Sequence, residues 1–234
     1  MELDGVFMDL YGTLTSGDRE AVEETCAAIV RDTGAPLTPG ELSIVWGERF
    51  LRATESCNGD AFETLFELEQ RTLVETMDEL GLTVDPEPYA RMLVAYWRNA
   101  PLQREAAEFL SRFEHPIFIV SNADQADAES VLSRHDIRLK GILTSESARS
   151  YKPDRRIFEI ALEQTGWRRD RVMHVGDSLH SDVGGALAAD IRSGWLNRTH
   201  RIHDIGIHEP DHEFADLNAF AAWVNGAKQR SQSV

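Results

Sequence analysis

An acidic side chain at the end of a buried strand, near the amino terminus, limits the possible folds of this chain more than any other feature. Val6 to Leu10 form an apolar run of strand length that includes Asp9, and Gly12 and Thr13 follow closely. A parallel strand that is covered on both faces reads as such a run, and open α/β sheets bind ligands at the carboxyl ends of their strands. The run therefore predicts a parallel sheet with Asp9 at its ligand-binding edge.

Apolar runs of strand length recur along the second half of the chain. The predicted strands are Val6–Leu10, Ile117–Ser121, Gly141–Thr144, Val172–Gly176 and Gly194–Asn197. Amphipathic stretches at Ile157–Thr165 and Val183–Ala189 alternate with the later strands. This alternation predicts right-handed crossovers and a doubly wound parallel sheet, that is, a Rossmann-like α/β core.

The interval from about Thr15 to Arg98 has a different character, because it contains no convincing strand. Its apolar residues recur at helical spacing, and prolines and glycines separate the helical stretches. We therefore predict a helical domain, inserted over residues 15–99, that emerges after the first strand. The core domain is predicted to comprise residues 1–14 and 100–225, with a flexible polar tail over residues 226–234.

Composition and charge exclude several classes of partner. The formal net charge of −16 argues against nucleic acid and anionic membranes, and no apolar run approaches the ~20 residues of a membrane helix. A metal ion or a local cluster of donors can reverse the sign of charge inside a cleft, so an anionic small-molecule substrate is compatible with this charge. Cys26 and Cys57 lack metal-ligand spacing, and the chain enters its first strand without room for a signal peptide. We therefore expect reduced thiols and a cytoplasmic location.

Three later motifs bring further polar side chains to the same predicted edge. Ser121 and Asn122 end one strand, Lys152 precedes a predicted helix, and Asp177 follows another strand. Asp182 comes a short turn later, at the predicted start of the next helix. Carboxylates that converge in one cleft repel each other unless a cation lies between them. The ammonium of Lys152 can screen them, and Mg²⁺, which prefers oxygen ligands, fits the remaining charge.

Together these four motifs resemble those of the haloacid dehalogenase superfamily, hydrolases that use an aspartate nucleophile. The resemblance covers residues 1–14 and 100–200, and it implies that the helical insert is a cap over the active site. The catalytic residues that it implies are Asp9 as nucleophile, Tyr11, Thr13, Ser121, Asn122 and Lys152. The Mg²⁺ ligands that it implies are Asp9, the backbone carbonyl of Tyr11, Asp177 and Asp182.

At Tyr11 the chain differs from one branch of the superfamily and resembles another. In the Mg²⁺-dependent phosphatases of the superfamily, a second acid stands at this position and protonates the leaving alcohol. In the L-2-haloacid dehalogenases the position is typically Tyr, within a segment similar to Asp-Leu-Tyr-Gly-Thr-Leu, and no metal is needed. Asp177 and Asp182 are similar to the phosphatase pattern, since the dehalogenases carry Ser and Asn in that motif.

A second departure from the dehalogenases lies in the helical insert. Those enzymes use a cap arginine that follows a tryptophan, whereas Gly47 follows Trp46 here. Arg49 or Arg52 would have to substitute from the next turn. The acidic metal motif and this missing arginine favour the phosphatase branch.

We therefore expect a Mg²⁺-dependent phosphatase that acts on a small, anionic phosphorylated metabolite. The alternatives are an L-2-haloacid dehalogenase or a related carbon–halogen hydrolase without metal, and a weakly active or non-catalytic binding protein. Loss of a general acid costs about 10²–10⁴-fold in rate, which a good leaving group or another proton donor would offset. Glu48, Glu55 and His180 are candidates for that donor, and the alternative role for the ring of Tyr11 is to pack beneath the cap.

Overall fold

A parallel β-sheet forms the centre of the molecule in the computed structural model. The model describes residues 2–137, 139–201 and 208–232, with the backbone alone for residues 227–232. The strands are β1 (Gly5–Met8), β2 (Ile117–Ser121), β3 (Gly141–Thr144), β4 (Val172–Gly176), β5 (Arg192–Leu196) and β6 (His212–Phe214). Among the described residues their order is β3-β2-β1-β4-β5-β6, and all neighbours are parallel. This order confirms the predicted doubly wound α/β fold.

The strand boundaries agree with the sequence pattern except at the first and last strands. β2, β3 and β4 have the predicted limits, whereas β1 ends two residues early at Met8 and β5 begins two residues early at Arg192. β6 was not predicted, because a strand of three residues that includes His212 and Glu213 gives no apolar run.

The order of the strands places a crevice beside β1. The chain passes from β1 to β2 and β3 on one side and then returns to β4 on the other side. Such a switch point leaves an open crevice at the carboxyl ends of the strands. Val6, Phe7 and Met8 in β1 are fully buried, so only the end of the strand can present a polar group to a ligand.

Helices cover the sheet and form a separate region between β1 and β2. The helical region, residues 18–99, contains α1 (Asp18–Thr33), α2 (Pro39–Ser56), α3 (Leu65–Glu79) and α4 (Glu87–Asn99). The remaining helices are α5 (Ala106–Arg112), α6 (Gln125–Arg134), α7 (Ser145–Ala148), α8 (Arg155–Thr165), α9 (Gly184–Ala188) and α10 (Leu217–Gln232). A short π-helix, Leu179–Val183, leads into α9. All residues 18–99 are described, and none of them forms a strand, in agreement with the sequence pattern.

The helical region has its own apolar core and its own capping signals. Leu42, Trp46 and Leu68 belong to a buried cluster that is distinct from those beneath the sheet. Thr38 and Thr64 each cap a helix by accepting a hydrogen bond from the backbone N–H three residues later, and a glutamate at that position bonds back. These reciprocal bonds satisfy backbone donors that a helix start leaves open.

A carboxylate from the sheet region completes the start of α3. Asp124 accepts hydrogen bonds from the backbone N–H groups of Leu65, at 2.7 Å, and Phe66, at 3.0 Å. A single antiparallel bridge between Thr15 and Leu102 joins the two chain segments that connect the regions. These contacts hold the helical region against the carboxyl edge of the sheet. The division into a core domain and a cap domain stays a prediction.

The last helix extends into the predicted tail. The backbone of α10 continues to Gln232, while residues 233–234 lie outside the described residues. The flexibility of segment 226–234 therefore stays a prediction. None of the helices in the described part of the chain combines the length and apolar character that crossing a bilayer requires.

Candidate active site

Asp9 lies directly after β1, with its carboxylate held from one side. Its backbone N–H donates to the Val175 carbonyl at 3.0 Å, and the residue is 5% exposed. Oδ1 accepts hydrogen bonds from Ser121 Oγ at 2.9 Å and from Lys152 Nζ at 2.7 Å. Oδ2 accepts none from the residues that the structure describes. Asp9 thus presents an oriented carboxylate with one oxygen free to react or to bind a cation.

Lys152 joins Asp9 to Asp182 inside the protein. Its Nζ donates to Asp182 Oδ1 at 2.6 Å, and His174 Nε2 lies 2.8 Å from the same oxygen. The backbone N–H of Ser178 donates to Oδ2 at 2.9 Å. Burial opposes ionisation of Asp182, but the Lys152 ammonium and the His174 hydrogen bond outweigh it and hold the pKa of Asp182 below its ordinary value. Burial likewise opposes the charge of Lys152, yet the two carboxylates raise its pKa.

Asp177 lies after β4, and the positive charge of Arg201, which favours its ionised form, is too weak to offset the other effects. Within the described residues, no side chain or backbone group donates a hydrogen bond to it or forms an ion pair with it. Burial, followed by the charges of Asp182 and Asp9, raises the pKa of Asp177 to about 7. One oxygen from each of the three carboxylates lies within 4.8 Å of the others. The site therefore carries more negative charge than Lys152 alone can balance.

Gly12 allows the loop after β1 to approach this cluster. Its φ is +79°, a conformation that residues with a side chain rarely adopt. A Cβ atom on Gly12 would lie 2.7 Å from Oδ1 of Asp177, closer than van der Waals contact permits. Arg198 fixes the same loop by donating to the carbonyls of Gly12 and Thr13 at 2.9 and 2.8 Å, and it also pairs with Glu105 at 2.9 Å.

The donor set fits a hard divalent cation. Asp9 offers a free carboxylate oxygen, Asp177 an unpaired carboxylate, and Tyr11 a backbone carbonyl that accepts no hydrogen bond from the described residues. Oxygen ligands of this kind suit Mg²⁺, which often retains several waters. Asp182, in contrast, has both oxygens engaged by Lys152, His174 and Ser178. Its predicted role as a ligand is therefore compatible only with contact through a water molecule or after rearrangement.

The side chain of Tyr11 packs against the helical region. Its hydroxyl donates to the Trp97 carbonyl at 3.2 Å, and the two rings lie 6.4 Å apart between centroids. Burial, with a contribution from nearby carboxylates, raises the pKa of Tyr11 above its ordinary value. Tyr11 is thus a poorer acid than free tyrosine and is suited to packing.

Thr13 and Asn122 occupy different parts of the site. The Thr13 hydroxyl is buried and has no hydrogen-bond partner among the described residues, so it can serve a bound group. The Asn122 side chain instead binds the backbone of Lys152 at both its N–H, 2.7 Å, and its carbonyl, 3.0 Å. Asn122 therefore orients the segment that carries Lys152.

The arginines of the helical region and the candidate proton donors, including His180 from the π-helix, make contacts outside the cavity. Arg49 donates to Thr76 at 3.1 Å and pairs with Glu75 and Glu79. Arg52 pairs with Glu48 on the surface at 3.7 Å, and His180 lies 3.5 Å from Glu55. None of these candidate side chains, that is, Arg49, Arg52, Glu48, Glu55 and His180, lines the cavity that the described residues form above the site.

That cavity, the cap cavity, lies between the helical region and the sheet edge and has a volume of about 220 Å³. Its aromatic lining residues are Tyr11, Trp46, Phe50 and Trp97, its acidic ones are Asp18 and Glu69, and Asn122 contributes from the sheet side. Neither acid was predicted from the sequence. Glu69 lies four residues from Leu65 and from Leu73, which are both buried. Glu69 therefore lies on the apolar face of α3, and an acid at such a position is the sequence feature that would have indicated it.

Comparisons with known proteins identify the family of the chain. The family model for haloacid dehalogenase-like hydrolases matches residues 3–190. An (S)-2-haloacid dehalogenase from Pseudomonas sp. (strain YL) is 27% identical over 222 residues, which cover 93% of this chain and 92% of the relative. A glyceraldehyde 3-phosphate phosphatase from Methanothermobacter thermautotrophicus is 26% identical over 199 residues, covering 83% and 86%.

A solved structure extends the agreement to the fold. The L-2-haloacid dehalogenase from Xanthobacter autotrophicus superposes with a TM-score of 0.77 at 19% identity, over 96% of this chain and 99% of that one. At this identity the match supports the fold alone, while the family match spans most of the chain together with its carboxylate cluster. The protein is therefore a hydrolase and belongs to the haloacid dehalogenase-like hydrolase family.

Proposed function

We propose that this hydrolase is a Mg²⁺-dependent phosphatase that acts on a small phosphorylated metabolite, with Asp9 as the nucleophile. The observation that carries the proposal is the unpaired Asp177 beside the free oxygen of Asp9. Asp177 is half-buried and has no ion-pair partner among the described residues, so its ionised form is disfavoured beside Asp9 and Asp182, and a metal ion would remove that cost. A dehalogenase that needs no metal would have no use for this excess of negative charge.

The residues around Asp9 suit phosphoryl transfer. Oδ2 of Asp9 would attack phosphorus, the bond from phosphorus to the leaving oxygen would break, and an aspartyl phosphate would form. Ser121 and Lys152 hold Oδ1, so the other oxygen keeps its orientation. Water would then attack phosphorus, releasing phosphate and restoring Asp9. Bound Mg²⁺, held by Asp9, Asp177 and the Tyr11 carbonyl, would supply positive charge to the phosphoryl oxygens.

The helical region is proposed to act as the cap, and it bears on the choice between substrates. A 2-haloacid brings its own carboxylate, which needs a cation in the binding pocket. Among the described residues, no Arg, Lys or His lines the cap cavity, whereas Asp18 and Glu69 do. Those acids provide no positive charge for a carboxylate, and in their ionised forms they would repel it, because like charges in a poorly solvated site destabilise each other.

Haloacid dehalogenation is the second candidate, and Tyr11 is the observation that favours it. No acid stands two residues after Asp9, and halide needs no proton to leave. The names of several relatives point in the same direction. A phosphatase with this sequence would require a leaving group that departs easily or receives its proton from outside the first motif.

A cytoplasmic location also remains part of the proposal. Cys26 and Cys57 are free and buried thiols, which suits a reducing compartment.

Substitution of Tyr11 tests the proposal most directly. Tyr11→Asp would add a carboxylate at the spacing of a general acid, and we expect hydrolysis of an alkyl phosphate to rise by about 10–10³-fold. The rate on p-nitrophenyl phosphate should change much less, because its phenolate leaves without a proton. Tyr11→Phe is the matched control, since it also loses the hydrogen bond to Trp97 but gains no acid.

Wild-type assays decide between the two candidates. Phosphate release that requires Mg²⁺, stops with EDTA and disappears in Asp9→Asn would support the phosphatase. Metal-independent halide release from (S)-2-chloropropionate, with no phosphate release from any ester, would overturn it.

A further inference from the structure

The cap cavity combines aromatic walls with acidic groups and has no cation of its own among the described residues. Trp46, Phe50 and Trp97 line it together with Asp18 and Glu69. Trp46 and Trp97 are both at least nine-tenths buried, so packing within the protein fixes the positions of their rings. The chemistry of the lining therefore differs from that of a purely apolar pocket.

Glu69 is the most unusual group in this lining. Its side chain forms no hydrogen bond and no ion pair with any residue that the structure describes. Burial, followed by the charges of Asp18 and Asp124, raises the pKa of Glu69 to about 8. Glu69 is partly exposed, and its raised pKa keeps it largely protonated in the free protein near neutral pH. No described residue supplies a positive charge that would favour its ionised form, so a cationic ligand in the cavity would have this role.

Asp18 is only weakly engaged and adds to the same negative potential. Trp97 Nε1 donates to its Oδ1 at 3.4 Å, near the limit of a hydrogen bond. Burial raises the pKa of Asp18 as well. Asp18 also lines a second opening that includes Asp177, so this acid connects the cap cavity with the reactive edge of the sheet.

We propose that the cap cavity binds a cationic nitrogen on the leaving group, so that the substrate is an alkylammonium or aminoalkyl phosphate. This inference rests on the proposed phosphatase activity. The faces of tryptophan and phenylalanine attract ammonium groups, and aromatic cages recognise quaternary ammonium ligands in this way. A bound cation would favour the ionised forms of Asp18 and Glu69, which would then supply the counter-charge, while the phosphoryl group would lie at Asp9. A cation of this size is compatible with a cavity of about 220 Å³.

The test compares two esters that differ only in charge. Choline phosphate and 3,3-dimethylbutyl phosphate have nearly the same shape, but only the first carries a positive charge. We expect kcat/KM to favour choline phosphate by about tenfold or more in the wild type, since desolvated charge pairs and cation–π contacts both contribute. Glu69→Gln should lower that ratio by about tenfold, because it removes the ionisable partner of the cation.

The control variant is Glu24→Gln, which removes an exposed charge from α1. It should leave the ratio of the two esters unchanged. Equal rates on both esters, or the same ratio in Glu69→Gln as in the wild type, would overturn the inference while leaving the phosphatase proposal intact.

Binding of choline alone separates the two proposals. Calorimetric titration of the full chain with choline needs no turnover, and Glu69→Gln should weaken this binding by about tenfold. If no ester is hydrolysed but choline binds and Glu69→Gln loses it, the phosphatase proposal fails and the assignment of the cavity stands. If neither wild-type binding nor a preference for choline phosphate is observed, the assignment of the cavity is wrong.

Discussion

The carboxylates at the sheet edge and those in the cap cavity meet the cost of burial in different ways. At the sheet edge, Asp9 and Asp182 share the Lys152 ammonium at 2.7 and 2.6 Å. In the cap cavity, Glu69 has no partner among the described residues, and Asp18 has one long hydrogen bond, from Trp97. The first arrangement is complete within the protein, whereas the second lacks a positive charge.

This difference indicates which carboxylates obtain their positive partner from the protein and which would obtain it from a ligand. A paired and hydrogen-bonded carboxylate is held in one orientation before any ligand arrives, which suits a group that must attack. An unpaired carboxyl in a cavity retains its capacity to bind and thus suits the recognition of a charged ligand. Asp177 lies at the sheet edge but resembles the cavity acids, because it too lacks a partner in the described residues. This likeness supports the proposal that its missing partner is a metal ion.

The largest expected effect comes from removing the shared cation. Lys152→Met would leave Asp9 and Asp182 buried without their common partner, and we expect the free energy of unfolding to fall by about 3–5 kcal/mol. Urea denaturation monitored by tryptophan fluorescence measures the change. If Lys152→Met is as stable as the wild type, the sheet edge does not depend on internal pairing and the comparison fails.

A surface lysine provides the control for this experiment. Lys140 is exposed and has no ion-pair partner among the described residues, so Lys140→Met should change stability by less than about 0.5 kcal/mol. A similar loss in both variants would point to a general effect of net charge.

The sheet edge was readable from the sequence because each of its groups follows a strand. Asp9, Ser121 and Asp177 stand directly at or after the apolar runs, and parallel strands bring their carboxyl ends together whatever the helices do. The order of the motifs then identified the fold. Asp182 was recognised as well, but its hydrogen bonds with His174 and Ser178 were not, since pairing inside a cluster depends on distances that spacing does not fix.

The cap cavity could not be read in the same way. Helical periodicity correctly indicated that residues 18–99 are helical, but it does not tell whether a polar residue on a helix faces solvent, a neighbouring helix or a cavity. Arg49 illustrates the difficulty, because the sequence allowed it to reach the substrate and the structure pairs it with Glu75 and Glu79. β6 was missed for a related reason. It is a strand because it pairs with β5, and its composition alone does not indicate a strand.

A smaller effect should follow from changing Asp177. Asp177→Asn would remove a charged ligand from the proposed metal site, and we expect the affinity for Mg²⁺ to fall by roughly 100-fold, or ~2.7 kcal/mol. The Mg²⁺-dependent rise in melting temperature reports binding without requiring turnover. Asp78→Asn, on the exposed side of α3, is the control. An unchanged Mg²⁺ response in Asp177→Asn would place the metal elsewhere or remove it from the proposal.

The smallest effect concerns how the stability of the protein depends on pH. Asp182 and Glu69 change stability in opposite directions as the pH rises. The folded-state pKa of Asp182 lies below its ordinary value of 3.8. The stability that Asp182 contributes is therefore present above that value and is lost as the pH falls further. The folded-state pKa of Glu69 is raised from 4.5 to about 8. The folded protein then binds the Glu69 proton more tightly than the unfolded chain does, so stability declines as the pH rises between these two values.

Glu69→Gln should remove this decline, because the amide does not ionise. We expect the variant and the wild type to be equally stable near pH 4.5 and the variant to be more stable by about 1 kcal/mol near pH 8. Taking the difference between the two proteins cancels the titration of all other groups that the substitution leaves unchanged. Choline should stabilise the wild type more than the variant and so narrow the gap at high pH, because its positive charge compensates ionised Glu69. A variant that is less stable than the wild type at pH 8 would mean that Glu69 already has a partner in the folded protein, and the contrast between the two sites would disappear.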